Sequence, residues 1–75
     1  MNSMPAIIKL TQCDDTIYVN ANHIVTIESN NDFASDLLTR LTLADQSIIN
    51  VFESQDEVIE KINRKIKSLR DLYRK

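Results

Sequence analysis

The chain contains no glycine. That absence excludes the glycine-rich loops that cradle phosphates, and it excludes a calcium loop of the EF-hand type, whose sharp turn needs one. It also means that any left-handed turn position must fall to another residue, and Asn and Asp tolerate such positions next best. Cysteine occurs once, at Cys13, so no internal disulfide can form. One cysteine and one histidine, His23, are too few for a structural zinc site. No apolar run approaches the roughly 20 residues that span a bilayer. The stretch Met1-Asn2-Ser3-Met4-Pro5 has neither the basic start nor the apolar run of a secretory signal. The chain therefore reads as soluble and cytoplasmic, with no cofactor or metal expected.

At 75 residues the chain is expected to form a single domain over 1–75. So short a chain buries a small fraction of its surface, and its core is marginal when alone. Without disulfide or metal, oligomerisation is the remaining way to compensate. The net charge of −2 conceals an asymmetry. Residues 1–60 carry two basic and ten acidic groups, a balance of −8, and residues 61–75 carry seven basic and one acidic, a balance of +6.

Clusters at Asp14-Asp15, Asn20-Ala21-Asn22, Asn30-Asn31-Asp32 and Ala44-Asp45-Gln46 divide the chain evenly. Between them lie runs that read as strands by their β-branched content: 6–12, 16–19, 24–28, 37–43 and 47–52. The first two form a hairpin across Cys13-Asp14-Asp15, and the last two form another. Asn20 to His23 reads as a tight turn, and Ser29 to Asp36 as a loop, polar apart from Phe33 and Ala34. Side chains alternate across a strand. Ile8, Leu10, Ile17, Val19, Leu41, Leu43, Ile49 and Val51 could therefore share one face. The other face would carry Ile7, Tyr18, Leu38, Ile48 and Phe52, where a half-buried sheet normally places polar groups.

The strongest local signal is a helix over about 55–73. Ser54 followed by Glu57 fits a capping box. Val58, Ile59, Ile62, Ile66, Leu69 and Tyr73 fall within an arc of about 100° at helical spacing. The 3-4-3-4 run of Ile59, Ile62, Ile66, Leu69 and Tyr73 lasts only about two heptads, short of a coiled coil. The expected fold is thus α+β, a small antiparallel β-meander of four to five strands followed by one C-terminal amphipathic helix. One helix covers one sheet face. The second apolar face, with Ile7, Tyr18, Leu38, Ile48 and Phe52, is the expected interface with another copy or a protein partner.

Lys61, Arg64, Lys65, Lys67, Arg70, Arg74 and Lys75 are expected on the solvent side of the helix. As a phosphate-binding set (Lys61, Arg64, Lys65, Lys67, Arg70) they would contact nucleic acid. They also have a plainer reading. Acids in the first turns and bases in the last complement the helix dipole, and Glu57–Lys61 and Glu60–Arg64 are favourable pairs four residues apart. The helix is amphipathic enough to lie on a membrane, but its apolar stripe is needed to cover the sheet. Cys13 sits beside two carboxylates, which disfavour a thiolate. His23 has no partner of a triad or dyad, and Asn30, Asn31, Asp32 and Asp36 lack calcium-loop spacing. No catalytic residue is assigned, and an enzyme is not expected.

Ile8-Lys9-Leu10-Thr11 resembles the I-x-L-T opening of the FlbD/SwrD-like flagellar and swarming-motility proteins. Val19-Asn20-Ala21-Asn22-His23-Ile24, with Ile27-Glu28 following, resembles that family's V-N-P-x-x-I-x-x-I-E segment. Leu41-Thr42-Leu43-Ala44-Asp45-Gln46 stands where the family has I-x-L and an N-G or D-G turn. Val51-Phe52-Glu53-Ser54-Gln55-Asp56-Glu57-Val58 is similar to its V-x-E-S/T-x-x-E-V. The likeness covers about residues 7 to 62. The chain departs from the pattern at Ala21, where the family has proline, in lacking turn glycines, and in a longer stretch from Ser29 to Asp36. The resemblance implies a non-enzymatic accessory protein of motility, with no cofactor and no catalytic residues.

Overall fold

A computed structural model of the chain describes residues 5–32 and 34–73, with the side chain of Tyr73 excepted. The leader reading of residues 1–4, Phe33 of the loop, the place of Tyr73 in the apolar seam, and the cations Arg74 and Lys75 lie outside the described residues.

Five strands and one long helix follow one another: β1 (Ile7–Gln12), β2 (Asp15–Asn20), β3 (Ile24–Ser29), β4 (Thr39–Leu43), β5 (Ile48–Val51) and α1 (Gln55–Tyr73). Every paired strand is antiparallel. The α+β class, the strand order and the helix span agree with the sequence reading. One expectation is corrected. The strands do not make a single sheet with two apolar faces. They form a two-stranded sheet, β1-β2, and a three-stranded sheet, β3-β4-β5.

The break falls at Ala21–His23, a single 3-10 turn. Asn20 caps it: the Asn20 Oδ1 accepts from the Asn22 N–H at 3.0 Å and from the Ala6 N–H at 3.3 Å. The Ala21 N–H also donates to the Ala6 carbonyl at 2.8 Å. The chain is thereby turned away from the first hairpin before β3 begins.

The two sheets meet where β1 passes the end of β5. The Phe52 N–H donates to the Thr11 carbonyl at 2.8 Å, and Gln12 Nε2 donates to the Asn50 carbonyl at 3.3 Å. Glu53 strengthens the joint. Its carboxylate accepts from the Thr11 N–H at 2.9 Å and from Thr11 Oγ1 at 3.0 Å. Its carbonyl accepts from Oγ1 of the fully buried Thr39 at 2.7 Å. One residue therefore ties both sheets together just before the helix starts.

The eight positions that alternation selects are all inward, and Ile24 and Ile27 of β3, which it did not select, pack against the core as well. Ile8, Leu10, Val19, Leu41 and Val51 are buried, and Ile17, Leu43 and Ile49 pack against them. From the helix, Val58 is fully buried and Ile62 joins the edge of the core. The helix begins as its sequence implies. The Glu57 N–H donates to Ser54 Oγ at 3.2 Å, and the Ser54 N–H donates to Glu57 Oε1 at 3.4 Å. With its carboxylate turned back to Ser54, Glu57 forms no ion pair with Lys61. The other expected pair, Glu60–Arg64, is formed.

The turns correct a second expectation. The left-handed position falls on neither Asn nor Asp. Among the described residues the one positive φ is at Gln46, 73°. It follows Ala44 and Asp45 in the four-residue connection between β4 and β5, where the Gln46 N–H donates to the Leu43 carbonyl at 2.9 Å and the Leu43 N–H donates to the Ser47 carbonyl at 2.9 Å. Asp45 holds the loop: its Oδ1 accepts from the Ser47 N–H at 2.9 Å and from Ser47 Oγ at 2.6 Å. These bonds, the hydroxyl first, lower the Asp45 pKa below its ordinary value.

Candidate functional site

The outer face of the first hairpin is set by the same alternation that fills the core. Ile8, Leu10, Ile17 and Val19 point inward, so Ile7, Lys9 and Tyr18 point out. Lys9 and Tyr18 face each other directly in the register, and Ile7 lies one pleat away on the same face. Tyr18 is 70% exposed. Beside this face runs α1. Lys61, Arg64, Lys65 and Ser68 are spaced i, i+3, i+4 and i+7, which places them on one stripe of the helix.

That stripe and the hairpin enclose a groove of about 450 Å³. Ile7, Ile8 and Tyr18 line it together with Lys9, Lys61, Arg64 and Lys65. No carboxylate lines it among the described residues. Arg64 is paired with Glu60. Lys9, Lys61 and Lys65 form no ion pair among the described residues. The volume lies within the range of small-ligand pockets, about 300–1,000 Å³, and the groove is open to solvent.

The structure divides both sets of residues singled out from the sequence. Of the phosphate-binding set, Lys61, Arg64 and Lys65 reach the groove, while Lys67 and Arg70 are exposed on other sides of the helix. Of the apolar set, Ile7 and Tyr18 line the groove, while Leu38, Ile48 and Phe52 belong to the other sheet or its flanks. Leu38 and Ile48 are exposed there, and Phe52 is half-buried. The outer face between them is polar. Arg40 sits opposite Asn50 in the register and makes a 3.4 Å ion pair with Glu28 across β3 and β4.

Lys9 was absent from either set. Its outward position on β1 is legible from alternation, but its nearness to the helix is not. Cys13 is exposed in the turn between β1 and β2. His23 is exposed and, with Leu43, Ala44 and Asp45, lines a separate shallow depression. Asn30, Asp32 and Ser35 brace the loop from inside: Asn30 Nδ2 donates to the Leu37 carbonyl at 2.9 Å, and Asp32 Oδ1 accepts from the Ala34 N–H at 3.0 Å. Among the described residues no helix is long and apolar enough to cross a membrane.

Two small antiparallel sheets followed by one C-terminal helix, with an open cationic groove between helix and hairpin, define a small α+β domain. More particularly, the profile of the FlbD family, flagellar and swarming motility proteins, matches residues 7–69, and the chain belongs to that family. Searches of curated proteins and of solved structures returned no match.

Proposed function

We propose that this protein is a non-enzymatic accessory module of flagellar or swarming motility that acts by binding protein and associates with itself. The observation carrying the reading is a surplus of outward apolar side chains around a core already complete. Ile7, Tyr18, Val25 and Ile48 on the strands, Leu38 just before β4, and Ile59, Ile66 and Leu72 on the helix are exposed although the interior is filled by others. Family membership supplies the motility setting. Scattered exposed apolar residues are ordinary on a monomer, but eight among the described residues of a 75-residue chain is a large share.

Light scattering across protein concentration tests the self-association. A stable oligomer that Leu38→Ser and Ile48→Ser dissociate is expected. A monomer at every concentration would remove the self-association and leave binding to a different protein.

A second reading, nucleic-acid binding, is favoured by one observation: Lys9 and Tyr18 join the helix cations in a single groove. Binding that falls steeply as salt rises supports it, and no binding at about 50 mM salt removes it.

A further inference from the structure

We infer that the groove between α1 and the first hairpin binds an acidic segment of a partner protein, one that carries an apolar or aromatic anchor among its carboxylates. The inference rests on the protein-binding reading above and names the chemistry of the partner.

Two properties of the groove select that ligand together. Part of its lining is apolar: Ile7, Ile8 and Tyr18. Another part is cationic: Lys9 from the strand and Lys61, Arg64 and Lys65 from the helix. Like charges brought together without counter-charges repel, and an incoming anion relieves that repulsion. The body of this protein supplies one carboxylate, Glu60 to Arg64, and none to Lys9, Lys61 or Lys65 among the described residues. It carries ten acidic groups in residues 1–60, yet none lines the groove among the described residues. The complementarity is therefore left open to a partner, which it would steer and orient. An apolar anchor against Ile7 and Tyr18 would add burial that charge alone does not give.

The same geometry disfavours a nucleic-acid strand. Strand binders combine a continuous cationic track with several aromatic platforms. This groove has one aromatic, Tyr18. The track is also interrupted. A neighbouring depression is lined by Glu57 and Glu60 together with Lys61 and Arg64, so a phosphate backbone continuing along the helix toward its start would meet two carboxylates. A short acidic peptide need not continue there.

Selection of a random peptide library displayed on phage, against the full chain, tests the inference. Enriched sequences should be acidic and carry an apolar or aromatic residue. A synthetic peptide of the enriched sequence should lose at least tenfold in affinity against Lys61→Glu/Lys65→Glu and a smaller factor against Tyr18→Ser. Circular dichroism should show both variants folded, since these side chains lie outside the core. Neutral enriched peptides whose binding ignores the charge reversal would overturn the groove assignment and leave protein binding standing. No enrichment, together with a monomer in light scattering, would overturn both. Binding of a thymidine oligonucleotide or of phosphatidylserine vesicles that Lys61→Glu/Lys65→Glu abolishes, without any acidic peptide enriched, would assign the groove to those anions instead.

Discussion

The two halves of α1 share one amphipathic pattern and have different fates. In the first half Val58 is fully buried and Ile62 packs on the core. In the second half Ile66 is 41% exposed and Leu72 is 62% exposed. The reason is the size of what lies beneath. A helix of 19 residues is roughly 28 Å long at 1.5 Å per residue, whereas the strands below it have four to six residues each. The sheets run out before the helix does, and the molecule is accordingly drawn out to 47 × 22 × 20 Å. The sequence-based expectation that the whole apolar stripe covers the sheet is thus corrected: Val58 and Ile62 join the core, while Ile59 and Ile66 stay exposed. An amphipathic stripe is evidence of a partner for each of its turns, and the partner need not be the same throughout.

The largest effect should come from breaking the docked half. Val58→Ala removes two methyl groups from a site without solvent access and should cost about 2–3 kcal/mol in urea unfolding. Ile66→Ala, in the other half, should change stability by less than about 0.5 kcal/mol. Equal losses would mean that the second half is docked in solution. Next in size is the joint that leads into the helix. Glu53→Ala leaves the Thr11 N–H and hydroxyl without their acceptor and should cost about 2 kcal/mol. A cost near zero would mean that water replaces the carboxylate and that the joint is weaker than its geometry.

The smallest change sharpens the contrast from outside the helix. Gln46 holds a left-handed φ that glycine adopts without steric cost, so Gln46→Gly should stabilise the fold by about 0.5–1 kcal/mol. Amide exchange should then slow in the first half of the helix, which opens with the whole domain, and stay unchanged near Leu72, which opens locally. The Asp45 carboxylate in the same turn has a lowered pKa, so its stabilising part is present above the ordinary carboxylate pKa and lost as pH falls through the folded value. The Gln46→Gly comparison is therefore to be made at neutral pH.

Much of this architecture can be read along the chain because it is local. Alternation fixed which strand residues face inward, and all eight of those positions are in or against the core. The Ser54–Glu57 spacing fixed where the helix begins, because the cap is made within a single turn. What sequence reasoning missed is relational. It placed five strands in one sheet, where the turn at Ala21–His23 separates two. It assigned the left-handed turn position to Asn or Asp by preference, whereas loop length put it on Gln46. It treated the helix cations as one set, and overlooked Lys9.

The sequence by itself determined the elements, their order and the identity of the core, since each follows from periodicity and capping over a few residues. Only the tertiary structure decided which surfaces meet. Residues as distant in sequence as Lys9, Tyr18 and Lys65 line one groove because β1 pairs with β2 while α1 lies alongside. The hairpin is legible from the turn between its strands, but the place of the helix beside it is not, because that depends on how two sheets and a helix share one small core.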